Sequence, residues 1–120
     1  MNDTRVLVVD DDRDTCSNLS DILTEFGYAV DVAYQGEQAL DLFAERPYRL
    51  ALLDYKLPDT NGVELFQRMR QIQVNVEGLL VTGYATEETA TEARAAGLQH
   101  VVQKPVDVPR LVPLIEEALA

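Results

Sequence analysis

The stretch Leu52-Leu53-Asp54-Tyr55-Lys56-Leu57-Pro58-Asp59-Thr60-Asn61-Gly62 decides how this chain folds. An apolar run ends there at a single acid, and a loop rich in turn-forming residues follows it. If residues 49–53 form a buried strand, Asp54 lies at its carboxyl end, where open α/β sheets hold their ligands. This position leads to the hypothesis that Asp54 is a nucleophile that accepts a phosphoryl group.

Length and composition limit the class of protein. A chain of 120 residues with 47% hydrophobic content has the size of one domain, so we expect residues 1–120 to form a single domain. The net charge of −11 argues against direct binding to nucleic acid or to an anionic membrane, because both would repel the chain. Cationic partners and metal ions are favoured instead.

Cysteine usage and hydropathy bear on the compartment. Cys16 is the only cysteine, so no intramolecular disulfide can form, and we interpret it as a small apolar side chain. Met1 is not followed by a basic segment and an apolar core, and no apolar run is long enough to span a bilayer. We therefore expect a cytoplasmic protein.

Apolar runs and helical patterns alternate along the chain. The short apolar runs predict strands at residues 5–9, 28–33, 49–53, 78–82 and 100–103. Helical periodicity follows each of them, at residues 16–26, 37–45, 63–69, 86–96 and about 107–119. Five strands alternating with five helices predict a parallel sheet covered on both faces. Right-handed connections then favour a doubly wound (βα)5 fold of the α/β class, flavodoxin-like, with strand order 2-1-3-4-5.

The first helix has clear signals at both ends. Asp12 or Asp14 can cap its first turn, and Gly27 supplies a left-handed residue that ends it. Its apolar residues recur at spacings of three and four, which predicts one buried face made of Cys16, Leu19, Ile22, Leu23 and Phe26.

The last two helices each have an unusual feature. The fourth has only the small apolar residues Ala90, Ala93 and Ala96 on its face, so we expect weak packing and mobility. Pro113 in the last helix cannot donate a backbone hydrogen bond. We therefore expect this helix to start late, near residues 109–111, or to kink.

Polar side chains follow the predicted strands at one edge of the sheet. In the predicted strand order, Asp10, Asp11 and Asp54 converge in one crevice, with Thr82 and Lys104 beside them. Three close carboxylates repel one another unless a cation neutralises them or a pKa rises sharply. Oxygen ligands, in a chain with one histidine and one cysteine, favour Mg²⁺ over zinc.

Such a site suits phosphoryl transfer. Attack by a carboxylate on phosphorus gives an acyl phosphate, and the transferred group spreads charge over three equatorial oxygens. Those oxygens need cationic or hydrogen-bonding partners. Lys104 can supply a point charge and Thr82 a hydroxyl, with Mg²⁺ as the remaining partner.

Four separate motifs match one family. They are Val8-Val9-Asp10-Asp11, Leu53-Asp54 with Leu57-Pro58 and Gly62, Val81-Thr82-Gly83, and Lys104-Pro105. Together they resemble the receiver domains of two-component response regulators, and the resemblance covers essentially the whole chain. It implies that Asp54 takes its phosphoryl group from a phosphohistidine on a histidine kinase or a phosphotransfer protein.

The resemblance also implies a metal site with named ligands. Asp11 resembles the direct carboxylate ligand of Mg²⁺, Asp10 its water-bridged companion, and the backbone carbonyl of Lys56 a third protein ligand beside Asp54.

Two further roles follow from the same resemblance. Thr82 resembles the hydroxyl that moves toward the phosphoryl oxygens. Lys104 resembles the counter-cation, and its peptide bond to Pro105 is cis in similar domains.

One position departs from the family pattern. Receivers usually carry Tyr or Phe three residues before the lysine, where the ring swings inward upon phosphorylation, but this chain has Val101. Valine cannot reproduce that movement. His100 would point to the opposite face of a regular strand, and we interpret it as a solvated surface histidine rather than a switch residue.

Lys56 and Tyr84 stand two residues after Asp54 and Thr82, at positions that flank the phosphoryl group in this family. The pair resembles that of the sporulation phosphorelay intermediate, a stand-alone receiver whose acyl phosphate persists. We hypothesise that both side chains obstruct the attacking water and slow hydrolysis. The alternative is that they are exposed and have no kinetic effect.

Other functions stay open at this point. The leading one is a signalling module that catalyses only its own phosphorylation and dephosphorylation at Asp54, and is not an enzyme otherwise. An aspartate-nucleophile phosphohydrolase would need a general acid and a substrate cap, for which the chain is short. A flavin-binding carrier would not place acids after its first strand, and an unphosphorylated interaction module would not need the intact acids. The cognate kinase, the output and a phosphorylation-dependent dimer cannot be decided from the sequence.

Overall fold

The computed structural model describes residues 4–83 and 85–120. The strands are β1 (Arg5–Val9), β2 (Ala29–Ala33), β3 (Leu50–Leu53), β4 (Glu77–Thr82) and β5 (His100–Gln103). The helices are α1 (Arg13–Glu25), α2 (Gly36–Glu45), α3 (Gly62–Ile72), α4 (Glu87–Ala95) and α5 (Val108–Leu119). Strands and helices alternate throughout, as the periodicity predicted. In the described part of the chain, no helix combines the length and hydropathy needed to cross a membrane.

The five strands form one parallel sheet in the order β2-β1-β3-β4-β5. This confirms the predicted doubly wound topology. The chain reverses its direction of winding between β1 and β3, and this reversal creates a crevice at the carboxyl ends of those two strands.

Two apolar cores cover the two faces of the sheet, because successive strand residues point to opposite sides. Val6 and Val8 pack toward α1 and α5, whereas Leu7 and Val9 pack toward α2, α3 and α4. All four side chains are fully buried. Burial on both faces explains why the apolar runs of β1 and β3 are continuous rather than alternating.

The ends of α1 follow their local sequence signals. Asp12 is the N-cap, and its carboxylate accepts hydrogen bonds from the amides of Asp14 at 3.0 Å and Thr15 at 3.5 Å. Gly27 follows the helix with a φ of 90°, the left-handed conformation predicted for it. Phe26 was expected on the buried face, and this is wrong: α1 ends at Glu25 and the Phe26 side chain is 51% exposed.

The last helix also differs from expectation. It begins at Val108, with Pro109 in its first turn, and Pro113 lies inside it. The predicted late start is therefore wrong, and the alternative, a kink, stays a prediction. Pro113 removes one backbone hydrogen bond, but the apolar face of α5 is anchored by the buried Leu111 and Ile115, and tertiary packing of that face outweighs the lost bond.

Helix α4 has few large groups to bury. Thr89 and Ala93 are its buried residues, and both side chains are small. It contacts the core over less apolar area than the other helices. The mobility expected for α4 stays a prediction.

A polar network lies beneath the sheet edge formed by β2. Tyr48 is fully buried, stacks on Phe43 with ring centroids 5.8 Å apart, and donates a hydrogen bond of 2.5 Å to Asp31. Arg5 and Arg46 lie 3.2 and 3.5 Å from the same carboxylate oxygen. Burial raises the pKa of Tyr48 above its ordinary value, and the bond to Asp31 raises it further.

We predict that Tyr48→Phe lowers the free energy of unfolding by about 1–2 kcal/mol near pH 7, because Asp31 loses a buried hydrogen bond. Since folding raises the pKa of Tyr48, this stabilisation is complete below the unfolded pKa of about 10 and is lost as the pH rises above it. The difference in the free energy of unfolding between the wild-type protein and the variant should therefore become smaller above pH 10. Urea titrations at several pH values measure it.

Tyr28→Phe is the control, because it removes a tyrosine hydroxyl outside this network. A Tyr48→Phe variant whose pH dependence matches that of the wild-type protein would show that the hydroxyl contributes nothing through Asp31.

Candidate functional site

The register of the central strands brings three acids together. Val9 pairs with Leu53, so Asp10 and Asp54 follow β1 and β3 at the same level. Asp10 and Asp54 are 2% and 7% exposed, whereas Asp11 is exposed. One carboxylate oxygen from each of the three acids lies within 4.8 Å of the others. The structure thus collects the acids that the sequence had placed at one edge.

Lys104 lies against these acids. Its backbone amide donates to the carbonyl of Thr82 at 2.9 Å, which fixes the start of the loop after β5. From there its Nζ donates to Asp10 at 2.5 Å and to Asp54 at 3.0 Å. The Lys104–Pro105 peptide bond is cis, as the resemblance implied.

The charges in this cluster perturb one another. Burial raises the pKa of Asp10, and the charge of Asp54 raises it further, whereas the hydrogen bonds from Lys104 and from the Asp12 amide lower it. Burial alone would lower the pKa of Lys104, but its bonds to Asp10 and Asp54 raise it above the ordinary value. Lys104 is therefore a permanent cation at neutral pH.

The residues present fit a divalent metal ion. One ammonium cannot balance three carboxylates, so the cluster retains excess negative charge when all three are ionised. The Asp54 Oδ1 atom is buried and, among the described residues, has no hydrogen-bond partner. A buried carboxylate oxygen without a partner is costly, and a cation would satisfy it. Carboxylate oxygens are hard ligands, which suit Mg²⁺ or Ca²⁺.

The loop after Asp54 forms one wall of the site. Lys56, Leu57 and Pro58 line a cleft of about 430 Å³ together with Asp11 and Asp54. Lys56 therefore lies beside the acids, and the residue is exposed.

Gly62 closes the loop against Asp54. A Cβ atom at this position would lie 2.3 Å from the Asp54 carbonyl oxygen, so no larger residue fits without moving the backbone. Gly62 does not have a positive φ, so close packing against Asp54, and not a left-handed backbone, is what requires glycine here.

Thr82 and Gly83 complete the same edge of the sheet. Leu53 pairs with Leu80, so Asp54 is level with Val81 and one residue short of the fully buried Thr82. Among the described residues other than its chain neighbours, no atom would lie within 4 Å of a Cβ atom on Gly83. Tyr84, the second residue predicted to slow hydrolysis, lies outside the described residues.

The two residues before the lysine loop face opposite sides, as expected for a strand. Val101 is half-buried against the core formed with α2, α3 and α4, whereas His100 lies toward α5. The His100 side chain is only 28% exposed and its Nε2 lies 3.6 Å from Glu117, which is too long for a hydrogen bond. The interpretation of His100 as a solvated histidine is therefore wrong, because α5 covers it.

Sequence reasoning missed two contacts of the loop. The sequence predicts only that Asp59 belongs to a turn-rich loop. Its carboxylate also accepts hydrogen bonds from the amides of Gly36 at 2.8 Å and Glu37 at 2.9 Å. Burial would raise the pKa of Asp59, but these two bonds lower it below the ordinary value. Tyr55 donates a hydrogen bond of 3.1 Å to Glu92 on α4. Both partners are distant in sequence, so no local pattern indicates them.

A third contact could have been found from the sequence. Asn61 caps α3 by accepting a hydrogen bond of 2.8 Å from the amide of Glu64. Asparagine three residues before glutamate, ahead of an apolar run, is typical of a helix start.

Proteins of similar sequence share one family. The response regulator receiver domain family matches residues 6–116 of this chain. A response regulator receiver protein of Anaeromyxobacter sp. (strain Fw109-5) is 36% identical over 92% of this chain and 46% of its own length. The transcriptional regulatory protein ZraR of Salmonella typhimurium is 35% identical over 96% of this chain and 26% of its own length. The chain therefore spans less than half of these two relatives.

A third relative has nearly the same length as this chain. Sporulation initiation phosphotransferase F of Bacillus subtilis is 29% identical over 99% of this chain and 96% of its own length.

Solved structures have the same fold. A CheY-like response regulator receiver domain protein from Methanospirillum hungatei superposes with a TM-score of 0.92 at 33% identity, over 98% of this chain and 94% of that one. A response regulator protein from Burkholderia pseudomallei, which contains a phosphorylated aspartic acid, a calcium ion and citrate, has a TM-score of 0.85 at 28% identity. That alignment covers 98% of this chain and 74% of the other.

We predict that Mg²⁺ or Ca²⁺ raises the thermal unfolding midpoint through the acid cluster. A ligand that binds only the folded state adds about 2.7 kcal/mol of stability at a hundredfold excess over its Kd. Asp11→Asn should remove most of this increment, and scanning calorimetry with and without the cation measures it. Asp21→Asn removes an exposed acid of α1 outside the cluster and should keep the increment. Equal increments in the two variants would contradict the assignment.

Proposed function

The chain belongs to the response regulator receiver domain family, and on that premise we propose that Asp54 accepts a phosphoryl group from a phosphohistidine of a histidine kinase or a phosphotransfer protein. One observation carries the proposal. Asp54 is a nearly buried carboxylate with Lys104 on one oxygen and, among the described residues, no hydrogen-bond partner on the other. A bound cation would satisfy the oxygen that lacks a partner, and Lys104 supplies positive charge at the other oxygen.

The protein groups that the chemistry uses all lie at the carboxyl ends of the central strands and in the loop after β5. An oxygen of Asp54 forms a bond to phosphorus, the phosphorus–nitrogen bond of the donor breaks, and the imidazole leaves with the electron pair of that bond. The product is an acyl phosphate on Asp54. Lys104 already lies 3.0 Å from Asp54 and supplies a positive charge for the added phosphoryl oxygens. The Thr82 hydroxyl is the nearest candidate on β4 to donate to them.

Asp10, Asp11, Asp54 and the backbone carbonyl of Lys56 would hold a Mg²⁺ ion. When bound, this ion would neutralise the carboxylates and bind phosphoryl oxygens, which lowers the repulsion that an incoming phosphate meets. Lys104 also neutralises part of the negative charge of the acids, through its bonds to Asp10 and Asp54.

We place this reaction in a single receiver domain of residues 1–120 that serves as a switch rather than as an enzyme with free turnover. The cleft beside Asp11 and Asp54 has a volume of about 430 Å³, which is enough for a phosphohistidine side chain to enter. Its catalysis would be confined to phosphorylation and hydrolysis at Asp54, with a changed surface as the output. The cytoplasmic location stays a prediction.

The test of this proposal is phosphoryl uptake. Incubated with Mg²⁺ and acetyl phosphate, the wild-type protein should gain one phosphoryl group, measured by intact-protein mass spectrometry. Asp54→Asn should gain none, and chelation of the metal should slow uptake in the wild-type protein, because the carboxylates would then repel the incoming phosphate. Unchanged uptake in Asp54→Asn would reject Asp54 as the acceptor.

We also propose that Lys56 and Tyr84 lengthen the life of the acyl phosphate by obstructing the attacking water. Lys56 lines the cleft beside Asp54, which supports its half of the proposal. Replacing both residues with alanine should raise the dephosphorylation rate by roughly three- to tenfold, equivalent to a barrier lower by about 1 kcal/mol. Decay of the phosphorylated protein after removal of the donor measures this rate.

Arg94→Ala is a matched control for the loss of an exposed cation, because Arg94 lies on α4 away from the cleft. Equal decay rates in the wild-type protein and the double variant would favour the alternative that both side chains are kinetically silent.

A further inference from the structure

The loop between Asp54 and α3 is tied at its tip to a different helix. Asp59 Oδ1 accepts a hydrogen bond of 2.8 Å from the Gly36 amide, and Oδ2 accepts one of 2.9 Å from the Glu37 amide. These amides belong to the first turn of α2, and the residue at its own N-cap, Gln35, makes no capping hydrogen bond with its side chain. Asp59 therefore caps α2 from more than twenty residues further along the chain.

The tip of the loop also packs closely on the start of α2. A Cβ atom on Gly36 would lie 2.6 Å from Cγ2 of Thr60 and 3.3 Å from Asp59 Oδ1. Only glycine allows this approach without a shift of the loop. The contact is thus defined by two hydrogen bonds and by the steric fit of adjacent residues.

The loop is internally bonded between its tip and Asp54. Lys56 and Asn61 pair in antiparallel fashion, and the Leu57 amide donates to the Thr60 carbonyl at 3.1 Å. The Gly62 amide donates to the Tyr55 carbonyl at 2.9 Å. A loop with these bonds moves largely as one piece, so a restraint at Asp59 is transmitted to Lys56.

We propose that Asp59 is a positioning residue for the acid site: by bonding to the start of α2, it holds the loop wall so that the Lys56 backbone stays beside Asp54 and Asp11. The inference rests on the proposed function, and it adds a residue outside the cluster that sets the affinity of that cluster for a divalent cation.

The physical reason is preorganisation. The wall formed by Lys56, Leu57 and Pro58 lies outside the regular helices and strands, and its two ends are fixed by β3 and α3. The bonds at Asp59 add a third point of attachment on another part of the fold. Without it, the wall must be ordered when the cation or phosphoryl group binds, and that cost lowers affinity.

The test is calorimetric titration of the whole chain with Mg²⁺. Asp59→Ala should weaken binding by roughly three- to tenfold, at or below the lower limit seen when a group that orients a metal ligand is lost. Asp59→Asn keeps one side-chain oxygen that can accept an amide and should recover part of this affinity. The rate of phosphoryl uptake from acetyl phosphate at subsaturating Mg²⁺ should follow the same order, and saturating Mg²⁺ should narrow the differences.

Gln73→Ala is the matched control for stability. The Gln73 side chain also makes two hydrogen bonds to backbone: it accepts one of 3.2 Å from the Tyr48 amide and donates one of 2.8 Å to the Tyr48 carbonyl. Tyr48 precedes β3, so these bonds lie at the amino end of that strand, away from the acids. Its loss should lower the unfolding midpoint without changing Mg²⁺ affinity. An equal loss of affinity in Gln73→Ala and Asp59→Ala would overturn the inference, since general destabilisation would then explain both.

The wild-type protein separates the two possible failures. If it neither binds Mg²⁺ nor takes up a phosphoryl group, the proposed function fails. If it does both and Asp59→Ala binds Mg²⁺ with the same affinity, the function stands and the positioning role of Asp59 is rejected. Weaker binding with partial recovery in Asp59→Asn supports the positioning role.

Discussion

The feature on which the rest of the structure depends is the meeting of Asp10, Asp11 and Asp54 beside one ammonium group. Two of these acids are almost fully buried, and Lys104 alone cannot neutralise all three. Burial and mutual repulsion disfavour ionised carboxylates, so the acids at the carboxyl ends of β1 and β3 destabilise the folded state when all are ionised. A bound cation would neutralise part of the negative charge of the acids. A phosphoryl group would add negative oxygens of its own and so change the charge balance again. The same charge imbalance therefore supports the proposal that this cluster binds a divalent cation.

The apolar cores keep the acids close together despite their mutual repulsion. Both faces of the sheet are covered, and the central strands contribute fully buried side chains to each core, so the strand ends cannot separate to relieve the repulsion. Close packing continues into the site at Gly62, where any side chain would collide with the Asp54 carbonyl. Lys104 is fixed in turn by the bond of its amide to Thr82 at the end of β4. The acids are therefore held together by packing and by backbone contacts outside the acid cluster.

Much of this arrangement could be predicted from the sequence, since apolar runs that stop at acids define both the strands and the edge where those acids meet. The predicted strand order is the observed one. Two of the errors depend on tertiary contacts, and one depends on where a helix ends. His100 is covered by α5, Phe26 falls just beyond the end of its helix, and Pro113 is carried inside a helix whose apolar face is well packed. The capping of α2 by Asp59 joins segments more than twenty residues apart, so no local pattern could reveal it.

The central claim is that Asp54, and neither of the two acids beside it, carries the phosphoryl group. Borohydride reduces an acyl phosphate to an alcohol and so marks the modified residue permanently. The protein should be phosphorylated with acetyl phosphate and Mg²⁺, reduced, digested and analysed by tandem mass spectrometry. The reduced residue should be found at position 54 alone, and Asp10 and Asp11 should remain intact. Reduction at position 10 or 11, or none in a protein that binds Mg²⁺, would contradict the assignment of Asp54 as the phosphoacceptor.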